Sequence, residues 1–265
     1  MTNFFVTSLS SFKRWSIKTT SNKSLIYFRI VFASIWLIYD LIDVSTSETL
    51  KISWFYHLPV PANFTIGLQI FLITLEIGLL LGWYPRTLAF GVFLARASFA
   101  YFFTLNDFFY FSAAALLLSV SDSGGLPKKT KQVLAWPRDL FILQTGWIYF
   151  ASSLLKLNPA FLSGSDLFVR HNYEISVLPI YYPEFYRSFV STLWGNSILS
   201  GFAVVMEMSL ALTLFSWFLF PTQRKKLHCL ALILVIGIHG YAAYAFNVFF
   251  FGASMIAQVG FFSKE

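Results

Sequence analysis

The chain has 265 residues and a formal net charge of +7; 57% of its residues are hydrophobic and only 12% are charged. A soluble domain carries about 25% charged residues, and a fold of this size has too little interior to hide so much apolar surface. The composition therefore predicts an integral membrane protein and excludes a soluble enzyme, a DNA-binding module and a disordered tail. Cys229 is the single cysteine and the four histidines are scattered, so the sequence predicts neither a disulfide nor a metal site.

The apolar residues form consecutive segments of the length that a membrane-spanning helix requires. A bilayer core of about 30 Å needs roughly 20 apolar residues in a helix. By this criterion we predict an all-α membrane protein with about eight transmembrane helices, which are Leu25–Ile42, Phe64–Trp83, Thr87–Phe103, Phe108–Ser121, Leu140–Leu157, Ser197–Phe220, Leu227–Phe246 and Val248–Phe262. The fourth segment is short and follows the polar pair Asn106-Asp107, which favours a tilted helix or one partly buried in protein.

A basic N-terminal segment, residues 1–23, precedes this transmembrane domain, which we predict to cover residues 24–265. Within it, Phe4–Ile17 interleaves aromatic residues with Lys and Arg, a pattern typical of a helix that lies on the membrane surface. A mobile basic tail fits the same pattern equally well. The rest of the chain shows no internal repeat and no second domain.

The distribution of cations predicts the orientation of the helices in the membrane. Thirteen of the 19 Lys and Arg residues lie on alternate connections and termini, whereas only Lys51, Arg170 and Arg187 lie on the opposite connections. Cytoplasmic loops carry an excess of Lys and Arg. The split predicts that both termini are cytoplasmic. It also explains the net positive charge without nucleic acid.

The two long connections, Val44–Asn63 and Asn158–Asn196, fall on the outer side in this topology. The second combines Pro, Tyr, His and Arg residues, whereas the inner connections are short and basic. We therefore expect any chemistry to take place toward the outer face of the membrane.

Several ionisable residues interrupt the apolar segments, and each is a candidate functional residue because burying a charge in a bilayer is costly. Arg29 lies near the inner end of its segment, where its side chain is expected to extend to the membrane surface. Glu76, Arg96 and Glu207 fall near the middle of theirs. A structural pair of Arg96 with Glu76 or Glu207 and a role in a functional site are about equally supported.

Lys156 is the most unusual of these residues, since it follows an apolar run near the outer end of the fifth segment. A desolvated amine can act as a general base or form a Schiff base, whereas a lysine at an interface simply extends to water. His239 lies in the outer half of the seventh segment and His171 in the second outer connection. We expect these residues and Asn106-Asp107 to meet in one outward-facing cavity.

At these residues the chain resembles the transmembrane part of the vitamin K-dependent gamma-carboxylase family, which includes the bacterial horizontally transferred transmembrane proteins. The resemblance covers about residues 24–262. Its most specific segments are Gln144–Phe150, Leu155–Asn158 and Leu162–Gly164, with further matches at Arg29–Phe32, Leu81–Trp83, Asp122, Glu207, His239 and Phe249–Met255.

This resemblance implies Lys156 as the base that deprotonates vitamin K hydroquinone, with His239 and His171 as further catalytic residues and O2 and CO2 as co-substrates. It also implies that Asn106, Asp107, Tyr149 and Glu207 contact the quinol. The resemblance implies that the chain lies in the bacterial inner membrane with its active side outward. The resemblance implies membrane lipid, quinol and a secreted peptide as partners.

The chain also departs from the family pattern. Leu155 replaces the first lysine of a Lys-Lys pair, and we expect no counterpart of the large extra-membrane domain that binds propeptides. We therefore expect a quinol-epoxidising core, or one that carboxylates glutamate in a small peptide. A non-enzymatic maturation or immunity partner of a secreted peptide is the alternative. A small transporter is less well supported, because no inverted repeat is visible.

Overall fold

A computed structural model describes residues 18–50, 62–103, 106–124, 132–169, 171, 183–246 and 249–262. Most of them are helical, which confirms the all-α prediction. The helices are α1 (Lys23–Leu50), α2 (Ala62–Leu81), α3 (Pro85–Phe103), α4 (Asn106–Val120), α5 (Trp136–Lys156), α6 (Pro159–Leu162), α7 (Ser165–Val169), α8 (Glu184–Val190), α9 (Leu193–Leu219), α10 (Arg224–Phe246) and α11 (Phe249–Phe262). A 3-10 turn at Pro221–Gln223 joins α9 to α10. The segment Phe4–Ile17 lies outside the described residues.

Two short strands accompany the helices, and the sequence did not predict them. Strand β1 (Thr19–Ser21) pairs antiparallel with β2 (Gln132–Leu134), and Thr20 lies opposite Val133. The N–H of Ala135 extends the pairing by donating to the carbonyl of Lys18 at 2.8 Å. The end of the basic N-terminal segment is thus joined to the residues that precede α5.

Each of the eight predicted transmembrane segments overlaps one of the long helices α1–α5 and α9–α11. In the part of the chain that the structure describes, three helices are long and apolar enough to cross a membrane: Lys23–Ile42, Leu193–Leu219 and Arg224–Ala243. Gly67–Leu81, Phe111–Val120 and Phe251–Phe261 are shorter apolar helices. Many large apolar side chains on these helices are exposed, among them Ile38, Phe71, Phe202, Val205 and Ile233. Such surfaces fit a membrane protein.

The chain divides into two compact units, residues 1–141 and 142–265, and the boundary falls inside α5. In the N-terminal unit, glycines let adjacent helices approach closely. A Cβ on Gly78 would lie 2.6 Å from Leu88, and a Cβ on Gly91 would lie 3.1 Å from Leu75, so α2 and α3 pack antiparallel. Aromatic rings of α1 fill the interior of this unit, where Phe111 of α4 lies 4.2 Å from the ring of Trp36.

The long helices of the C-terminal unit alternate in direction. Gly146 of α5 packs on Phe215 of α9, and nearer the other end of α5 the hydroxyl of Ser153 donates to Sδ of Met208, so these helices are antiparallel. In the same way, α10 is antiparallel to α9 and α11 is antiparallel to α10. The buried apolar side chains of this unit include Leu210, Leu214, Trp217, Val235, Met255 and Val259. Buried polar side chains also lie in this interior, and these polar side chains form the candidate site.

Candidate functional site

Lys156 and Glu207 form the central pair of the candidate site. Lys156 is the last residue of α5, and its Nζ donates a hydrogen bond to Oε1 of Glu207, near the middle of α9. The Lys156 side chain is 29% exposed, whereas that of Glu207 is only 8% exposed. Lys156 therefore belongs to an acid–base pair, and it is not the isolated, desolvated amine that the sequence suggested.

The second carboxylate oxygen of Glu207 is buried, and no hydrogen-bond partner for it lies among the described residues. A buried oxygen without a partner is costly, since it has lost its hydration and gained nothing in return. A ligand or water that donates a hydrogen bond at this oxygen would remove that cost. The pair therefore presents a proton acceptor inside the unit, next to an amine that reaches the surface.

Tyr149 and His239 form a second pair, deeper in the same unit. The Tyr149 hydroxyl and His239 Nε2 are hydrogen-bonded at 2.5 Å, and both side chains are buried. Tyr149 precedes Lys156 by two helical turns, so the two side chains lie on one face of α5. The charge of Lys156 also acts on His239, which makes the two pairs electrostatic neighbours.

Helix α11 supports His239. Gly252 packs against the imidazole, where a Cβ would lie 2.9 Å from Cβ of His239, and the ring of Phe251 meets the imidazole edge to face at 5.2 Å. Nδ1 of His239 and the buried hydroxyl of Ser254 have no hydrogen-bond partner among the described residues. One turn beyond Ser254, the amide of Gln258 donates to Thr145 at 2.7 Å.

Several buried polar atoms of the C-terminal unit thus have no hydrogen-bond partner within the part of the chain that is described. Those that matter here lie on three neighbouring helices, and they include Ser200 Oγ, Glu207 Oε2, His239 Nδ1 and Ser254 Oγ. Native proteins leave few buried polar atoms unsatisfied, and those that remain call for a ligand, water or a functional role. This set is suited to a small ligand with hydroxyl or carbonyl oxygens.

His171 lies in a separate polar cluster. The amide nitrogen of Asn196 donates to the carbonyls of Val190 and Thr192 at 2.7 and 2.8 Å, which turns its oxygen toward His171. His171 Nδ1 therefore donates to that oxygen at 2.6 Å, and Nε2 is left to accept from the hydroxyl of Tyr186 at 3.3 Å.

Burial lowers the pKa of His171, and its hydrogen bonds with Asn196 and the Leu167 backbone offset the effect only in part. The neutral imidazole is therefore the favoured form. The hydroxyl of Tyr241, 3.4 Å from Nε2, completes the cluster. The contacts described for His171 join α8, α9 and α10 to one another, and they do not reach the Lys156–Glu207 pair. Its catalytic role stays a prediction.

The buried charges of the N-terminal unit form a triad of their own. Arg96 of α3 donates through Nη2 to Glu76 of α2 and, at 2.8 Å, to Asp40 of α1. All three side chains are almost wholly buried, and the Arg96 guanidinium lies 4.0 Å from the ring centre of Trp36. Of the two partners suggested for Arg96, Glu76 is therefore the one in contact.

Arg29 does not extend to the surface as predicted, because its side chain is completely buried. Its Nη1 donates to the carbonyls of Ser123 and Gly124. Gly82, with φ +79°, lies against the guanidinium, and a Cβ there would come within 2.9 Å of Nη2. Backbone carbonyls and a glycine therefore hold this arginine inside the unit.

The structure brings Lys156, Glu207, Tyr149 and His239 together, and the contacts described for His171 are with Asn196, Tyr186 and Tyr241. Asn106 and Asp107 begin α4 in the N-terminal unit, but their side chains lie outside the described ones, so their contact with a quinol stays a prediction. Ser200, Ser254 and the tyrosines around His171 were missed. The sequence marks such residues only by the spacing of polar side chains along a helix. Ser200, for example, precedes Glu207 by two helical turns, which places both on one face of α9.

Within the described ranges, no group of three or more His, Cys, Asp or Glu side chains is placed to hold a metal ion. Comparisons with protein-family models, curated proteins and solved structures found no match to the chain.

Proposed function

We propose that the chain is an eight-span protein of a bacterial inner membrane with both termini in the cytoplasm. The separation of cations to alternate connections supports this topology, as does the alternating direction of the long helices within each unit. Cys229 provides a direct test, because it is exposed, lies near the start of α10 and is the single cysteine. A membrane-impermeant thiol reagent should label it in inverted vesicles and leave it unlabelled in intact spheroplasts; the opposite pattern contradicts the topology.

Within this topology we propose that the C-terminal unit binds a reduced naphthoquinone of the vitamin K type. The observation that carries the proposal is the Lys156–Glu207 pair with its unsatisfied carboxylate oxygen. A quinol hydroxyl is a membrane-soluble donor that matches this oxygen. A second oxygen of the ligand matches the unsatisfied atoms of His239 and Ser254. The donor set therefore fits a two-oxygen ligand.

The pair is suited to receive a proton from such a ligand. In the hydrogen-bonded pair, moving the proton from Lys156 Nζ to the Glu207 carboxylate leaves a neutral amine, and the net charge of the pair stays zero. The amine can then accept a proton from a quinol hydroxyl and, being partly exposed, release it toward the surface. Glu207 thus takes the proton whose transfer frees the Lys156 amine.

His239 and Tyr149 orient the other end of the ligand in this proposal. The Tyr149 hydroxyl fixes Nε2, so the tautomer of His239 and the role of its free Nδ1 are determined together. A bound naphthoquinol supplies the electrons for its own epoxidation by O2. When a peptide glutamate and CO2 are present, it also supplies the driving force for carboxylation. The chain's residues bind and orient the quinol and move its proton.

Equilibrium binding tests the site without requiring turnover. Protein purified in detergent should bind vitamin K hydroquinone, kept reduced under argon, and Glu207→Gln and Ser254→Ala should each weaken binding about tenfold, the equivalent of one hydrogen bond at about 1.4 kcal/mol. Ser209→Ala, on the same helix as Glu207, is the matched control. Absence of binding by the wild type contradicts the proposal. Co-purification of a secreted peptide in its place would favour the non-enzymatic maturation or immunity partner.

A further inference from the structure

The triad in the N-terminal unit contains two acids and only one base, and it takes no part in the proposed quinol site. Asp40, Glu76 and Arg96 come from three different helices, and each is at most 6% exposed at its side chain. If both acids were ionised, one guanidinium would face two carboxylates and the buried cluster would carry a net negative charge. A buried net charge costs several kcal/mol, so a neutral cluster is strongly favoured.

The geometry of the two acids indicates how the cluster becomes neutral. Oδ2 of Asp40 and Oε1 of Glu76 both accept from one nitrogen of Arg96, Nη2. Two ionised carboxylates held this close together repel each other, whereas a proton on either acid removes the repulsion. That proton cancels the excess charge and lets one guanidinium neutralise the remaining carboxylate.

A further observation points to exchange of this proton. Oε2 of Glu76 is buried and has no hydrogen-bond partner among the described residues, although the other oxygen of the same carboxyl contacts Arg96. A carboxyl group that only balanced Arg96 would be expected to use both oxygens, as paired buried groups usually do. The unused oxygen leaves one position at which a proton can be held or a water can deliver it.

The surroundings hold Arg96 in place as a fixed positive charge. Its guanidinium stacks on Trp36, one helical turn before Asp40 on α1, and Tyr39 also interacts with it electrostatically. Neither a second cation nor a third acid faces the two carboxyls from the described side chains of α1–α4. The protonation of this pair is therefore governed by the triad itself.

We propose that Asp40 and Glu76 form a proton-binding site in which the two carboxyl groups share one exchangeable proton beside Arg96. Ionisable residues inside membrane helices are characteristic of proton relays, and this triad has the composition of one. The site lies wholly within the N-terminal unit and does not depend on quinol chemistry.

Infrared spectroscopy of the full-length protein in lipid nanodiscs tests the proposal. At neutral pH the wild type should show the C=O stretch of a buried protonated carboxylic acid, and this band should shift to lower frequency when the buffer is replaced with D2O. Glu76→Gln and Asp40→Asn should each abolish the band, because one carboxyl group then remains, and Arg96 neutralises it in its ionised form. Asp139→Asn is the matched control, since Asp139 is about as buried and forms a 3.1 Å ion pair with Arg138.

The result that overturns the proposal does not depend on the variants folding. If the wild type shows no protonated-acid band at neutral pH, both acids are ionised and the triad is a structural charge cluster. A band that fails to shift in D2O overturns the exchange of the proton. A band that survives in both Glu76→Gln and Asp40→Asn, while Asp139→Asn removes it, assigns the proton to another group and likewise contradicts the proposal.

Discussion

Lys156 and Glu207 form a hydrogen-bonded pair whose two halves differ in their access to solvent. The amine end is 29% exposed, whereas the carboxylate end is 8% exposed and keeps one oxygen without a described partner. The pair therefore connects the surface of the C-terminal unit with its polar interior. This asymmetry has a consequence for stability that is independent of any ligand.

Lys156→Met is expected to destabilise the protein more than Glu207→Gln does. Removing the lysine leaves a buried carboxylate without its cation, which costs about 3–5 kcal/mol in buried pairs. Removing the carboxylate leaves an ammonium that can turn toward the surface, so the loss is closer to the roughly 1 kcal/mol of an exposed pair. Denaturant unfolding in detergent measures both free energies. Equal costs, or a larger cost for Glu207→Gln, would show that the pair is not asymmetric.

Gly252→Ala tests whether His239 is held by α11. The new methyl group would lie 2.9 Å from Cβ of His239, so it is expected to displace the imidazole and to cost about 1–3 kcal/mol of stability, as overpacking does. Gly240→Ala in α10 is the control, because nothing lies within 4 Å of its Cβ position. That change should stabilise the helix by about 0.5–1 kcal/mol. If Gly252→Ala is also stabilising, the packing of His239 against α11 is wrong.

Stability should fall on acidification through His171. Burial lowers the pKa of this imidazole in the folded protein below its ordinary value of about 6.5. Between the two values the unfolded chain binds more protons than the folded one, so folding stability rises with pH. The contribution is complete above about 6.5 and is lost as the pH falls through the lower, folded value.

The measurement for this prediction is thermal unfolding from neutral to mildly acidic pH. The wild type should lose stability across this range, and His171→Gln should flatten the dependence because an amide does not titrate. His228→Gln, which changes a histidine near the start of α10, is the control and should keep the wild-type slope. A slope that is unchanged in His171→Gln would show that another group is responsible.

The hydropathy of the sequence was sufficient to predict where the long helices lie, because each of them contains a long run of predominantly apolar residues. The observed ends differ where local hydrogen bonds decide them. Helix α9 begins at Leu193 instead of Ser197, since the Thr192 side chain accepts a hydrogen bond from the N–H of Gly195 and caps the helix. Strands β1 and β2 were missed because each has three residues and the pairing spans more than one hundred positions.

The partners of the buried charges could be predicted only in part. A mid-membrane arginine must find a carboxylate, but the choice between Glu76 and Glu207 depends on which helices are neighbours, and one sequence does not contain that information. Asp40 was not singled out from the sequence, although it follows Trp36 by one helical turn and both contact Arg96. Likewise, Lys156 was recognised as unusual, while its pairing with Glu207 required the packing of α5 on α9 to be known.

The central claim is that the Lys156–Glu207 pair deprotonates a naphthoquinol, and epoxide formation tests it most directly. Purified protein in nanodiscs is incubated with vitamin K hydroquinone and O2, with bicarbonate and a glutamate peptide in a parallel sample, and the epoxide is quantified by chromatography. Lys156→Ala removes the base, and Lys156→Arg keeps the charge but cannot act as a base. Lys226→Ala is the control, because Lys226 is an exposed lysine near the start of α10.

The account predicts epoxide from the wild type and from Lys226→Ala, and a loss of at least about a hundredfold in both Lys156 variants, as expected for removal of a general base. Circular dichroism and retention of quinol binding by Lys156→Arg separate loss of chemistry from loss of fold. Epoxide formation that persists undiminished in Lys156→Ala, or its absence from a wild type that is folded, would contradict the claim.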